Sequence, residues 1–176
     1  MLHALSTGLG RAVWHAVPAL VVLALTLSTM VPIDLGAGWL VAPNVAMIAV
    51  FFWTIYAPQF YSPLAIFSSG AAIDLLGAGP LGFWPLVLLT LYALTASQRE
   101  FFIGRSVLGL WAGFGIFASL VSGFAWVLAC SYNSQWLEPG PILWQAVVTI
   151  AAFPILARMF ALMKRQLSGV NERLAI

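Results

Sequence analysis

Hydrophobic residues fall into six blocks along this chain, separated by short stretches that carry proline, glycine or charged residues. A helix needs about 20 mostly apolar residues to cross the roughly 30 Å of hydrocarbon in a bilayer. Five blocks are close to this length, and the third is shorter, so neighbouring helices must shield its ends from lipid. The pattern predicts six membrane-spanning helices, at about residues 12–32, 39–57, 63–77, 81–98, 106–130 and 142–163.

The basic residues support this division of the chain. Six spans place both termini and the loops at 58–62 and 98–105 on one side of the membrane. The loops on the other side carry Asp34 and Glu138 but no lysine or arginine. The positive-inside rule makes the basic side cytoplasmic, whereas five spans would scatter the basic residues over both sides. All seven lie on the predicted cytoplasmic side: Arg11, Arg99, Arg105, Arg158, Lys164, Arg165 and Arg173.

The composition excludes an ordinary soluble domain. The chain is 62% hydrophobic and 7% charged, whereas soluble domains are roughly 45–50% apolar and about 25% charged. We therefore expect an all-α integral membrane protein, a single six-helix bundle over residues 1–176 with both termini cytoplasmic. The net charge of +2 is too small to indicate nucleic-acid binding, and the single cysteine, Cys130, cannot form an intrachain disulfide.

Asp74 is the acidic residue that lies inside a predicted span. A charge at the centre of a spanning helix costs at least about 2.5–3.5 kcal/mol, so Asp74 should face protein or a cavity. It could brace the hairpin at residues 77–82 by accepting from free backbone N–H groups, bind a ligand or ion, or contact a partner, and we favour the first. The residues three and four positions away are small and form a groove for close helix packing: Gly70, Ala71, Gly77 and Ala78.

Two amide side chains are expected at a similar depth to Asp74. Asn44 lies in the second predicted span and Gln145 in the sixth, both toward the outer face. We predict a polar layer there, in which Asn44 is the hydrogen-bond partner of Asp74.

The sequence GAGPLG, from Gly77 to Gly82, contains Gly79 and Pro80 and interrupts the apolar pattern. It lacks the lysine of a phosphate-binding loop and the strand that precedes a dinucleotide site. We interpret it as a helical hairpin turn, with Pro80 starting the next helix.

A second set of glycines lies in the fifth span. Gly109 and Gly113 are four residues apart, and Gly115, Ser119 and Gly123 repeat this spacing on another face. Such spacing favours close packing of helices within the bundle, or with another protein.

Enzyme signatures are missing from the sequence. There is no His-Glu-x-x-His, no Gly-x-Ser-x-Gly and no pair of carboxylates within one span. The two histidines, His3 and His15, both lie near the N-terminus, far along the chain from Asp74. We therefore expect no catalytic residue, no metal site and no cofactor.

The tail from Arg158 onward interleaves basic and apolar residues. We interpret it as a helix end at the inner leaflet, where anionic lipid favours each nearby basic residue by about 1 kcal/mol. Docking of a cytoplasmic partner is the alternative.

The order of features between about residues 40 and 106 resembles a known family. Ala-Pro-Asn at 42–44 opens the second span, Ala-Ile-Phe-x3-Ala-x2-Asp-Leu-Leu-Gly follows at 65–77, then Gly-Pro-Leu-Gly at 79–82 and SQREFFIGRS at 97–106. This order is similar to that of the bacterial rod shape-determining membrane protein MreD. The family often shows Gly-Leu-x-x-Asp, and Gly70-Ala-Ala-Ile-Asp74 keeps the glycine and aspartate but replaces the leucine.

The resemblance implies a non-enzymatic scaffold in the bacterial cytoplasmic (inner) membrane. Members of this family pair with the bitopic membrane protein MreC. They act with the actin-like MreB, RodZ, the polymerase RodA and a class B penicillin-binding protein to direct lateral peptidoglycan synthesis during cell elongation.

The same family is similar in architecture to the substrate-binding subunits of energy-coupling-factor transporters, which supplies the main alternative. A solute-binding subunit would hold a small ligand near the outer side, at Asn44, Asp74 and Gln145. Three polar groups are few for such a site. An ion or lipid carrier is a third possible class, because a buried acid can serve as a proton relay. A single acid without a charged partner at the same depth is weak support for it.

Overall fold

Every regular element in the described part of the chain is a helix. A computed structural model describes residues 42–77 and 79–174, together with Ala24 and Thr26. Helices account for 82% of the structure, and these residues contain no strand. The expected all-α class is therefore confirmed. The predicted first span, 12–32, lies outside the described residues except for Ala24 and Thr26, which are helical.

Between residues 42 and 174, six α-helices and one 3₁₀ turn follow one another with short connections. The helices coincide broadly with the predicted second to sixth blocks, and a short extra helix forms between the fourth and fifth. They are α1 Val45–Tyr56, the 3₁₀ turn Pro58–Phe60, α2 Pro63–Leu76, α3 Phe83–Ser97, α4 Arg99–Phe102, α5 Val107–Asn133 and α6 Gly140–Leu174.

Local capping explains where several helices begin. The side chains of Asn44, Ser62 and Ser106 accept hydrogen bonds from backbone N–H groups in the first turns of α1, α2 and α5. A cap of this kind satisfies a donor that has no partner inside the helix. Helix α1 thus begins at Val45, after the predicted start at residue 39, because Asn44 occupies the cap position.

Helix α1 forms the centre of the described structure. All of its residues except the last, Tyr56, are buried, as expected of a helix that is apolar on every side. The Phe51 ring makes edge-to-face contacts with Phe102, Phe114 and Phe153, at centroid distances of 5.3, 5.3 and 5.7 Å. These rings join α1 to α4, α5 and α6, and such pairs stabilise a core beyond the area they bury.

In the part of the chain that the structure describes, two helices are long and apolar enough to span a membrane: α5 and the Gly140–Arg165 part of α6. Only 22% and 17% of their most apolar windows are buried, whereas the core helix of a soluble protein is mostly buried. Large apolar side chains cover the exposed faces, among them Leu108, Ile116 and Leu120 on α5 and Val147, Ile155 and Leu162 on α6. This arrangement is consistent with a membrane helical bundle.

The connections gather at two ends of the bundle, because successive long helices alternate in direction. We call the end that contains residues 77–82 and 134–139 the hairpin end. The opposite end, with residues 57–62, 98–106 and 158–165, is called the basic end. Helix α1 runs parallel to α6, since Asn44 contacts Thr149 near the hairpin end and Tyr56 contacts Lys164 at the basic end.

Candidate functional site

Asp74 is almost fully buried, with 1% of its surface exposed, and both of its oxygens accept backbone hydrogen bonds. Gly82 N donates to Oδ2 at 2.7 Å, and Trp84 N donates to Oδ1 at 3.1 Å. These contacts are the ones that the bracing interpretation of Asp74 requires. The carboxylate joins the last turn of α2 to the first turn of α3 across the hairpin.

The hairpin needs this carboxylate because the N-cap residue of α3 is a glycine. Gly82 is the N-cap residue, and its φ of +93° is in the left-handed region that glycine adopts without strain. It has no side chain to accept from the first turn, so Asp74 supplies the oxygen from α2. A negative charge at this position also interacts favourably with the positive end of the α3 dipole.

Two further backbone hydrogen bonds define the start of α3. Phe83 N donates to Pro80 O at 3.2 Å, Leu86 N donates to Gly82 O at 3.2 Å, and Pro85 has no N–H to satisfy. Pro80 therefore lies in the turn and does not start the helix, contrary to the sequence prediction. The left-handed conformation of Gly82 separates Pro80 from the helical path.

The other glycines of the hairpin have separate roles. Gly77 N donates to Ile73 O at 2.8 Å and ends α2, and Gly79 N donates to Asp74 O at 3.3 Å. A Cβ at Gly79 would meet no atom within 4 Å. Gly79 therefore contributes a backbone hydrogen bond to the turn, and the surrounding space would also accommodate a side chain at this position.

Gly70 is where α2 and α3 approach most closely. A Cβ added there would lie 2.5 Å from Pro85 N, 2.7 Å from Pro85 Cα and 2.9 Å from Trp84 C. These are backbone atoms that cannot move aside as a flexible side chain would. At Gly70, the small-residue groove expected around Asp74 is thus occupied by the backbone of the next helix, while Ala78 of that groove lies outside the described residues.

The predicted bond between Asn44 and Asp74 is not formed, and that prediction is wrong. The Asn44 side chain instead accepts from Met47 N at 3.1 Å and caps its own helix. Asn44 N donates to Thr149 Oγ1 at 2.9 Å, and the Thr149 hydroxyl donates to Gln145 O at 2.6 Å. An asparagine before a helix bonds the nearby backbone more readily than a distant group, and the Asp74 oxygens are already occupied.

The polar layer is therefore divided into two clusters. Asn44 and Gln145 are linked through Thr149, a buried residue that the sequence did not single out, while Asp74 belongs to the hairpin. Gln145 takes part in this link through its backbone carbonyl and not through its side-chain amide.

Gly109 and Gly113 of the fifth span differ in their surroundings. A Cβ at Gly113 would collide with the Phe102 ring, so this glycine allows α4 to pack against α5. At Gly109 a Cβ would meet only Arg105 Cβ and Ser106 Oγ, each at 3.6 Å, in its own first turn. Within the described structure, Gly113 serves helix packing and Gly109 contacts no other helix.

Trp111 makes a hydrogen bond that no signal in the sequence identifies. Pro154 lies inside α6 and cannot donate to the carbonyl of Ile150 four residues earlier. The indole Nε1 of Trp111 donates to that carbonyl at 2.7 Å. A neighbouring helix thus satisfies the group that proline leaves free, which is how membrane helices tolerate internal proline.

Two polar contacts secure the basic end. Arg99 Nε donates to Ile55 O at 3.0 Å and so satisfies a carbonyl in the last turn of α1. The buried Tyr61 hydroxyl donates to Ser69 Oγ at 3.4 Å. Burial raises the pKa of the Tyr61 phenol above its ordinary value, and this hydrogen bond opposes the change in part.

The described residues contain no group of three or more histidine, cysteine, aspartate or glutamate side chains that could hold a metal ion. Both hydrogen bonds to the Asp74 carboxylate come from backbone N–H groups, and neither comes from a basic or acidic side chain.

No protein-family model, curated protein or solved structure matches this chain. The resemblance of residues 40–106 to MreD therefore stays a prediction from the motif order.

Proposed function

We propose that this chain is a multi-pass protein of the bacterial cytoplasmic membrane, with six spanning helices in one domain and both termini in the cytoplasm. The apolar faces of α5 and α6 support this proposal, because lipid is the solvent that would cover them. The one-sided distribution of lysine and arginine supports the orientation. On this orientation the hairpin end is external and the basic end is internal.

Within that membrane we propose a non-enzymatic, MreD-like scaffold that pairs with an MreC-like bitopic protein. Through this protein it would act with RodA, a class B penicillin-binding protein, RodZ and MreB in lateral peptidoglycan synthesis. The observation that carries a structural role is the pairing of both Asp74 oxygens with the hairpin backbone. The acid that stands out in the sequence is thereby engaged in holding the fold.

The same observation weakens the alternative of a solute-binding transporter subunit. Such a site would need Asn44, Asp74 and Gln145 to present polar atoms to a ligand. Both oxygens of Asp74 and the side-chain oxygen of Asn44 bond the backbone of this chain instead. A solute would have to displace charge-assisted bonds, which are roughly twice as strong as neutral ones.

A detergent pull-down of the tagged protein from its native membrane tests the proposed function. We expect mass spectrometry to find an MreC-like protein and wall polymerases above the level in a tag-only control. Recovery of ATPase subunits with a coupling membrane protein would overturn the scaffold and support the transporter subunit.

A further inference from the structure

A groove of about 620 Å³ opens between α1, α5 and α6 at the basic end. Its volume is within the range of about 300–1,000 Å³ that is usual for small-molecule sites. The walls are apolar, with Phe52 from α1, Leu110 from α5 and Phe153 from α6. Ala157 and Ala161 of α6 lie one turn apart along the floor, and their small side chains leave the groove open.

Three basic residues line the groove toward the end of α6: Arg158, Lys164 and Arg165. The Lys164 ammonium lies 5.4 Å from the centroid of the Tyr56 ring, close enough for a cation–π contact across the groove. Among the described side chains, no acidic residue lines the groove and no carboxylate pairs with these cations. The groove is therefore amphipathic, with apolar walls and a positive rim.

The length of the groove matches one leaflet of a bilayer. Pro154 and Arg165 both line it and are eleven residues apart, which is about 16 Å along a helix that rises 1.5 Å per residue. Half of a hydrocarbon core of about 30 Å is about 15 Å. A lipid with its head group at the cations would therefore reach the bilayer midplane near Pro154.

From this arrangement we propose that the groove binds one anionic phospholipid of the inner leaflet. An acyl chain lies along Ala157 and Ala161, and the phosphate lies against Lys164 and Arg165. The long side chain of Arg158, about 9 Å deeper along α6, extends toward the same phosphate. This inference rests on the proposed membrane insertion and orientation. Charge complementarity favours a lipid over an apolar helix of a partner protein, since such a helix would leave three cations unmatched.

The test measures lipid binding to the full-length protein in detergent by native mass spectrometry. Phosphatidylglycerol and phosphatidylcholine with identical acyl chains are added in parallel. We expect one retained phosphatidylglycerol and weaker retention of phosphatidylcholine. Lys164→Gln should weaken phosphatidylglycerol binding about five-fold, the factor expected from losing one nearby basic residue.

Two further variants make the result specific to the groove. Arg105→Gln removes one charge from the same end, but Arg105 lies over the Phe101 ring and does not line the groove. It should leave binding unchanged. Ala157→Leu keeps every charge but narrows the floor, and it should lower the retention of both lipids.

Equal retention of the two lipids, or equal effects of Lys164→Gln and Arg105→Gln, would overturn the lipid site in favour of diffuse surface charge. A co-purifying protein that Ala157→Leu displaces, with lipid retention unchanged, would overturn it in favour of a partner helix. Extraction of the protein from membranes by alkaline carbonate would instead contradict the membrane insertion on which both proposals rest. The pull-down of an MreC-like protein is scored separately.

Discussion

At the scale of single residues, Asp74 shows how a very apolar chain can retain a buried acid. Hydrogen bonds to a charged group contribute about 1.5–3 kcal/mol each, and a favourable helix dipole adds about 0.3–1 kcal/mol. Two such bonds are enough to offset the roughly 2.5–3.5 kcal/mol cost of an acid at the centre of a spanning helix. The carboxylate is thus tolerated because α3 begins with N–H groups that Gly82 cannot cap.

Removing one or both acceptor oxygens at Asp74 should therefore have graded effects. Asn keeps one oxygen, so Asp74→Asn should lower the free energy of unfolding by about 1–3 kcal/mol, while Asp74→Ala loses both bonds and should cost more. Thermal unfolding of the detergent-purified variants measures the difference. Glu138→Gln, which changes an exposed carboxylate at the hairpin end, is the control. Complete loss of Asp74→Asn protein from membranes would contradict a role limited to hydrogen bonding.

The contact at Gly70 makes an equally specific prediction. Gly70→Ala places a Cβ against the backbone of Trp84 and Pro85, so α2 and α3 must separate. Overpacking of this kind typically costs about 1–3 kcal/mol, and a backbone obstacle puts it at the upper end. Gly79→Ala, in the same hairpin but with open space around it, should unfold at the wild-type temperature. Equal melting temperatures for the two variants would show that the helices do not approach at Gly70.

At the scale of elements, α5 and α6 depend on each other through Trp111 and Pro154. Proline inside a helix removes one hydrogen bond and exposes a carbonyl. Trp111 Nε1 closes this gap from the neighbouring helix. The bond also fixes the rotation of α5 relative to α6, since the indole must point at Ile150.

A double-mutant cycle can isolate this contact. Trp111→Phe alone leaves the Ile150 carbonyl without its donor and should cost about 1–3 kcal/mol. In a Pro154→Ala background, the new N–H at residue 154 can bond Ile150 O, so the same change should cost less. Melting temperatures of the four proteins give the coupling free energy.

Trp126→Phe removes an indole that donates to Leu137 O in the loop at residues 134–139. Its cost should be the same whether residue 154 is proline or alanine. If Trp111→Phe also showed the same cost in both backgrounds, the carbonyl of Ile150 would not be the partner that matters.

At the scale of the whole molecule, the longest apolar helices are the least buried, whereas in a soluble helical protein long apolar helices are mostly buried. The 12-residue apolar helix α1 is enclosed by its neighbours. The two longest helices, α5 and α6, present leucine, isoleucine and valine side chains outward. A 12-residue helix rises only about 18 Å, so α1 needs its neighbours around it if the bundle spans a bilayer. Both observations are consistent with the proposed membrane insertion.

The proposed orientation can be tested by cysteine labelling of intact cells. With Cys130→Ser as the parent, a membrane-impermeant maleimide should label Glu138→Cys from outside. Gln59→Cys, at the basic end, should react only after the membrane is permeabilised. Both parent positions are exposed. Labelling of Gln59→Cys in intact cells, with Glu138→Cys protected, would invert the orientation.

Local signals in the sequence were enough for the helices but not for every boundary. Proline and glycine marked the turn at residues 77–82, and α2 and α5 begin close to the predicted positions 63 and 106, where Ser62 and Ser106 cap them. The start of α1 was misplaced because the apolar pattern continues before the Asn44 cap. Pro80 was misplaced because the conformation of Gly82, two residues later, decides where α3 begins.

The partners of the polar groups depended on tertiary structure. Asp74 was expected to need protein contacts, yet its partners proved to be Gly82 and Trp84 and not Asn44. Pro154 leaves the Ile150 carbonyl without a donor inside α6, but nothing in the sequence identified Trp111 as the donor that replaces it. The groove at the basic end combines residues from three helices that are distant along the chain.

The sequence by itself determined the all-helical class, the approximate helix positions and the distribution of charge, because these follow from local composition and capping. Only the tertiary structure decided which residues meet. The reason is physical: helices that are apolar on every side carry no polar stripe to set their rotation. Close backbone approaches such as that at Gly70, and single hydrogen bonds such as that of Trp111, set it instead.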